Sequence, residues 1–410
     1  MNAIQRSTSG GPLAGIRVLD FTQVIAGPAC SQTLADFGAE VIKVEPLHGD
    51  PGRDWGTWRD DGRSFLFFAV NRNKRSVAID IGHPEAQPLL DELARTCDAV
   101  LVSMSVDAAE RHRLTYERFA ELRPDVVYCT ITGYGATTER RYERAYDQML
   151  QAEVGIMAMG ASGREAPGRL PVSAIDLLAA NAAATAVCAE LVRQPRRGAN
   201  LDASLYGAAV NLLCYWVPET SVTQTSPSPD ATKFTLAAPV GVYRGGDGCY
   251  FTVGAASDAA WRRLCAALGR ADLTTDPRFA SNATRVQNRE ALEEELHREF
   301  AAHPAESWVS ELSRAGVPST ALKTVYDAVS SEFAVGSGFV IPDAEVDGLV
   351  APGPIVRGAE ASRPPRLSVP RLGEHTEAVL SDLGVGEDEL NRLAACGAVM
   401  VGRRHDAVVR

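Results

Sequence analysis

Apolar and polar positions alternate in two rhythms along the first third of the chain. Arg17–Asp20 (RVLD) reads as a short strand. Phe21 to Pro28 then form a loop, Ala29–Phe37 fits a helix that Gly38 can stop, and Glu40–Glu45 (EVIKVE) returns as a strand. The rhythm continues with strands at Ser76–Ile81, Ala99–Ser103 and Val126–Thr132, and helical patterns at Pro84–Thr96 and Leu114–Leu122. Strands alternating with helices of this length predict βαβ units, a parallel sheet and a doubly wound α/β domain. Further on, Asp147–Met159 and the later part of Leu170–Val192 predict helices, Asn200–Leu205 a strand and Tyr206–Trp216 an apolar helix. Neither G-x-G-x-x-G nor a Walker loop occurs, only Ala26-Gly27-Pro28, yet a ligand could still sit past the first strand against the loop and the next helix.

The pattern changes at Pro218–Pro229 (PETSVTQTSPSP), whose Ser/Thr/Pro content reads as a linker. Beyond it, Val240–Arg244 and Cys249–Gly254 flank Gly245-Gly246-Asp247-Gly248 as a hairpin, and helices follow at Ala259–Leu268, Arg289–Ala302 and Ala305–Ala315. A Pro/Gly-rich passage, Pro342–Pro370, leads to a terminal helix pair. With 410 residues, two domains are expected. The boundaries read as 1–217 for the first part of a large Rossmann-like domain, 218–232 for a linker and 233–325 for a smaller α+β domain. Residues 326–410 then return to the large domain.

Composition narrows the class. Hydrophobic content of 45% with 23% charged residues is ordinary for a globular protein, and a net charge of −11 argues against a nucleic-acid partner. The polar, Gly-rich start is no secretory signal, and no run free of polar residues is long enough to span a bilayer. Eight scattered cysteines without a CxxC pair suit reduced thiols, so a cytoplasmic enzyme with no membrane partner is expected. The basic run Asn71–Arg75 reads as a solvated turn, with a small-anion site as the alternative.

Chemistry is sparse. The histidines do not cluster, so no metal is expected; no G-x-S-x-G elbow occurs and no cysteine has an evident base. Carboxylates remain. Between Glu165 and Glu190, Asp176 is the single acid in a run of Ala, Leu, Val and Ile. It could pair with Ser173 in a capping box, or serve as a nucleophile or proton carrier kept ionised by the helix dipole. Tyr146-Asp147 reads as a helix start with the acid in the first turn.

Several segments together resemble the class III (CaiB/BaiF-type) CoA-transferases. They are LAGIRVLDFTQVIAGPACSQTLADFGAEVIKVE at 13–45, PLHGDPGR at 46–53, NRNKRSVAIDI at 71–81, ITGYG at 131–135, AYDQMLQAEVGIMAMG at 145–160 and RLGEHTEAVLSDLG at 371–384. Asp20–Gln32 is especially similar to formyl-CoA transferases. The resemblance implies a large Rossmann-like domain built from both chain ends, a small inserted domain and an interlocked homodimer. It also implies an acyl-CoA donor, a carboxylic-acid acceptor, and catalysis by Asp176 through a mixed anhydride and an aspartyl-CoA thioester. Coenzyme A contacts would include Gln23, Val24, Ala26, Ile79, Ser103, Met104, Arg111 and Tyr146.

Departures from the pattern are visible. Val102–Asp107 replaces E-N-F-R-P-G, charged Ala136–Arg144 replaces a Gly-Pro segment, and no glycine-rich loop lies near Ala237–Val242. Related α-methylacyl-CoA racemases need two bases, but Tyr146 stands at the histidine position and Ser257 at the glutamate position, which favours transfer over racemisation. A CoA-binding relative with lost or altered catalysis is the remaining alternative.

Overall fold

The computed structural model describes residues 10–56, 64–159, 167–226, 236–343, 345–356 and 368–402. Two compact units emerge. The larger takes residues 1–156, 169–224 and 335–410, and the smaller takes 157–168 and 225–334. The end of the expected linker, 227–232, lies outside the described residues.

The larger unit is built on one sheet. Its strands are β1 (Arg17–Phe21), β2 (Glu40–Glu45), β3 (Lys74–Ile79), β4 (Ala99–Val102), β5 (Val127–Thr132) and β6 (Ala199–Ser204). The smaller unit supplies β7 (Val240–Arg244), β8 (Tyr250–Gly254) and β9 (Ser319–Ala321); a hairpin of β10 (Val340–Pro342) and β11 (Val350–Pro352) follows, then β12 (Val399–Met400). The large sheet has the order β12-β3-β2-β1-β4-β5-β6. Every neighbouring pair in it is parallel except β12 on β3. This is a doubly wound sheet whose order reverses between β1 and β4.

Alternation along each strand feeds two cores. Val18, Val41, Leu101, Val127 and Cys129 face one; Leu19, Ile42, Val77, Val100 and Tyr128 face the other. Helices cover both faces: α1 (Ala26–Asp36), α2 (Phe65–Val70), α3 (Gln87–Thr96), α4 (Val106–Arg111), α5 (Tyr116–Leu122), α6 (Asp147–Glu153), α8 (Ala174–Leu191) and α9 (Leu205–Leu213); the short α7 (Ile156–Met159) follows α6 in sequence, and α10 (Trp216–Thr223) follows α9. By length and composition α8 could cross a membrane, but Ala179, Ala180, Ala183, Ala184 and Val187 are buried in the first core, where α8 packs on α1.

Three expectations shift. The helix expected over 147–159 is two, because Gly155 at φ 87° leaves the helical region between them. The linker does not begin at 218, since α10 runs through 223. Pro218 falls in its first turn, where a missing N–H costs nothing, and the Thr220, Ser221 and Thr223 hydroxyls donate to carbonyls one turn back. The basic run 71–75 is neither a solvated turn nor an anion site. Arg72 is buried against Asp36 and donates to the Pro352 carbonyl; Lys74 is buried against Asp20; Arg75 pairs with Glu40.

The smaller unit packs helices on the antiparallel sheet β7-β8-β9 around Phe251, Trp261, Phe279, Leu296, Phe300 and Trp308. Ser257 caps the helix Asp258–Ala267 by accepting the Ala260 N–H.

Candidate active site

A cavity of about 550 Å³ opens in the larger unit past the carboxyl ends of all six parallel strands. Gln23 follows β1, Pro46 follows β2, Asp80 follows β3, Ser103 follows β4, Gly133 follows β5 and Leu205 follows β6, and each lines it. Ligands of doubly wound sheets bind in this crevice.

The β1–α1 loop forms one wall, and a buried set of charges holds it. The Gln23 N–H donates to Ser103 Oγ at 2.9 Å, and the Val24 N–H to Asp50 Oδ1 at 3.1 Å. Lys43 pairs with Asp50 at 2.8 Å and donates to the Thr22 carbonyl at 2.7 Å. Asp20 accepts from Thr22 and Ser31 and meets Lys74 at 3.3 Å. Burial alone would raise the Asp20 carboxyl, but Lys74 and Lys43 overturn that and hold it below its usual value. Burial also lowers Lys74 to about 8, partly offset by Asp20. So fixed, Val24 adopts φ 69°, a left-handed conformation that a β-branched residue takes only when its surroundings impose it. Gly27 permits the fit: a Cβ there would lie 2.2 Å from Thr22 Cβ. No side chain caps α1, so its first N–H groups, at the wall formed by Ile25, Ala26 and Gly27, suit an anion.

The opposite wall carries the carboxylate. Asp176 lies half-buried in the first turn of α8 and lines the cavity. The expected capping box is absent: Ser173 occupies the N-cap but makes no side-chain bond to the backbone. Asp147, buried at the start of α6, takes that role by accepting the Ile175 N–H at 2.8 Å and the Asp176 N–H at 3.4 Å. This also reverses the electrostatic expectation. Burial, then the charge of Asp147, push Asp176 up to about 7, and the Ser173 hydroxyl only partly opposes them. The helix end that was to keep Asp176 ionised is already neutralised by Asp147.

Tyr146 precedes this pair. It lines the cavity, and its exposed ring meets Trp55 edge-on at 6.2 Å.

Of the residues expected around coenzyme A, Gln23, Val24, Ala26, Ser103, Met104 and Tyr146 line the Asp176 cavity. Ile79 and Arg111 do not. Ile79 is the last residue of β3, fully buried in the second core, and its successors Asp80 and Ile81 reach the wall instead. Arg111 ends α4, exposed and paired with Asp107 at 3.0 Å one turn back. Sequence reasoning passed over His48, His112, Arg141 and Arg144, which also line the cavity. The charged departure at 136–144 was the available signal for the last two.

Comparison with known proteins places the fold in one family. The family model for CoA-transferase family III matches residues 13–376. Succinyl-CoA:glutarate CoA-transferase of Mus musculus is 31% identical over 394 residues, covering 95% of this chain and 90% of its own. Succinyl-CoA--D-citramalate CoA-transferase of Chloroflexus aurantiacus is 31% identical over 398 residues, covering 94% and 97%. The crystal structure of a CaiB/BaiF family protein from Brucella suis superposes with a TM-score of 0.80 at 29% identity, covering 91% of this chain and all of that one.

Proposed function

The chain belongs to CoA-transferase family III, and from that premise we propose that Asp176 carries CoA between an acyl-CoA donor and a carboxylic acid. The observation that carries the reading is Asp176 on the wall of the cavity that also holds Gln23, Val24, Ala26, Ser103, Met104 and Tyr146.

The Asp176 carboxylate attacks the donor's thioester carbonyl, and the C–S bond breaks to give a mixed anhydride and CoA thiolate. The thiolate attacks the aspartyl carbonyl, releasing the donor's acid and leaving an aspartyl-CoA thioester. The acceptor carboxylate attacks that carbonyl and expels the thiolate. Thiolate attack on the acceptor's own carbonyl then forms the new acyl-CoA and regenerates Asp176. No proton or electron is gained or lost over the cycle. The uncapped α1 N–H groups are candidates to stabilise the anionic intermediates.

The two transferase relatives are named for dicarboxylic acids, glutarate and citramalate, with succinyl-CoA as donor. Dicarboxylic acids are therefore the first acceptors to try here. Transfer is favoured over racemisation because Tyr146 and Ser257 supply no second base, and Ser257 is engaged as a helix cap. The reading extends to an interlocked homodimer, supported by the exposed apolar side chains Val172, Leu177, Leu212, Tyr215, Val217 and Val222 around α8 to α10.

The test is Asp176→Ala in a panel of acyl-CoAs and acids followed by mass spectrometry, with hydroxylamine trapping on the parent. Transfer should vanish in the variant while its fold and dimer persist, and a hydroxamate should appear at Asp176 in the parent. Near-normal turnover by Asp176→Ala, or α-proton exchange without transfer, would overturn the proposal.

A further inference from the structure

Gln151 stands one turn after Asp147 on α6, a spacing at which Gln and Asp side chains meet. On an exposed helix such a pair adds little. Here Gln151 is fully buried, and it is not among the residues that line the cavity. A buried primary amide must find partners for its oxygen and its nitrogen, and the partners of this one lead to Asp176.

The first partner is Leu170. Its N–H donates to Gln151 Oε1 at 2.8 Å, and Gln151 Nε2 donates to its carbonyl at 3.5 Å. Because a backbone N–H can only donate, it fixes which end of the amide is oxygen. The amide nitrogen therefore faces Asp147 and donates to Oδ1. Asp147 Oδ2 accepts the Ile175 and Asp176 N–H groups at 2.8 and 3.4 Å. Donors engage both carboxylate oxygens, so a rotation of Asp147 would break one set or the other. Residues 157–168 belong to the smaller unit, and the chain returns to the larger one at Arg169. Gln151 thus grips the returning chain at Leu170, just ahead of α8, and grips the cap of α8 through Asp147.

We propose that Gln151 is a positioning residue for the transfer reaction: its amide fixes the returning chain and the Asp147 cap together, and so sets where Asp176 presents its carboxylate in the cavity. This rests on the reading that Asp176 is the nucleophile. Core packing holds the body of α8 through Ala179, Ala180, Ala183, Ala184 and Val187, whereas in the first turn only Ile175 joins that core. Asp176 sits in this turn at the cavity wall, where a displacement of about 1 Å costs about a hundredfold in rate.

The experiment measures kcat and KM of the full-length protein with the most active donor and acceptor of the acyl-CoA and acid panel. Gln151→Met keeps the length of the side chain and removes its donor and acceptor. It should lower kcat about tenfold or more and leave KM within about threefold, since no ligand contact is lost. In an Asp147→Ala background, where the cap is already gone, the same change should cost less than about threefold. Gln151→Glu keeps an acceptor for the Leu170 N–H but turns another acceptor toward Asp147, so it should lose kcat as Gln151→Met does. Unfolding midpoints check each variant, and Gln151→Glu is read in the same way where Gln151→Met does not fold. Unchanged kcat, a loss carried by KM instead, or an equal loss with and without Asp147 overturns the proposal. No transfer by the parent with any pair of the panel sinks the proposed function itself and this inference with it.

Discussion

Asp147 accepts the backbone N–H of Asp176 at 3.4 Å and that of Ile175 at 2.8 Å, so one acid caps the helix on which the other is mounted. Cap and candidate nucleophile are therefore coupled: the charge that secures the first turn of α8 also disfavours a second charge beside it.

The coupling sets a pH dependence. Attack needs the carboxylate form, and burial with the Asp147 charge places Asp176 at about 7. Activity should rise with pH about tenfold per unit below that value and level off above it. Asp147→Asn keeps an amide oxygen for the cap but removes the charge, so the rising limb should move to lower pH. Rates of kcat/KM from pH 5 to 9 measure both; a parent profile already flat at pH 5 would contradict the coupling.

Stability should respond with the opposite sign. A carboxyl with a raised folded-state value binds more protons folded than unfolded between its ordinary 3.8 and about 7, so it costs stability as pH rises through that window. Asp176→Asn should gain on the parent from pH 5 to pH 8, by roughly 1–2 kcal/mol once partial exposure is discounted. Denaturant unfolding at the two pH values is the check. A difference that does not grow with pH would count against the burial of this charge.

Gly133 tests how closely the site is built. A Cβ there would stand 2.9 Å from Ala145 Cβ and 3.1 Å from Ala145 N, just ahead of Tyr146 and Asp147. Gly133→Ala should lower kcat/KM by about tenfold or more through displacement of that segment, with only a few degrees lost in Tm. Unaltered kinetics would show that the position of Tyr146 does not matter to turnover.

Lys74 tests the charges under the β1–α1 loop. It is fully buried between Asp20, the Pro28 carbonyl and Asn71. Lys74→Met leaves a buried carboxylate short of a partner and should cost roughly 3–5 kcal/mol in urea unfolding. A loss below about 1 kcal/mol would mean that Lys43 alone suffices.

The parallel sheet was legible because its strands are short apolar runs divided by helical spacing, which is a local property. The candidate Asp176, which lines the cavity, stood out for a similar reason, as an isolated acid in an Ala/Leu helix. The cap was not. Ser173 sits at the right spacing, but the acceptor that reaches the helix end is Asp147, 28 residues earlier in sequence and adjacent only in the fold. Burial of Asp20, Lys43 and Lys74 was hidden likewise, since charged residues read as solvated until their partners on other strands are known. Ile79 and Arg111 stand next to residues that line the cavity: Ile79 is one step along its strand from Asp80, and the Arg111 side chain pairs with its own Asp107.

The C-terminal segment completes an edge that the N-terminal half leaves open. β12 lies on β3, and the Ser76 and Ala78 N–H groups find acceptors in His375 Nδ1 and Thr376 Oγ1. A ribosome delivers β3 more than three hundred residues before β12. The smaller unit is thus synthesised while its host is unfinished, and a nascent chain stalled before residue 399 would leave the β3 edge without its β12 partner.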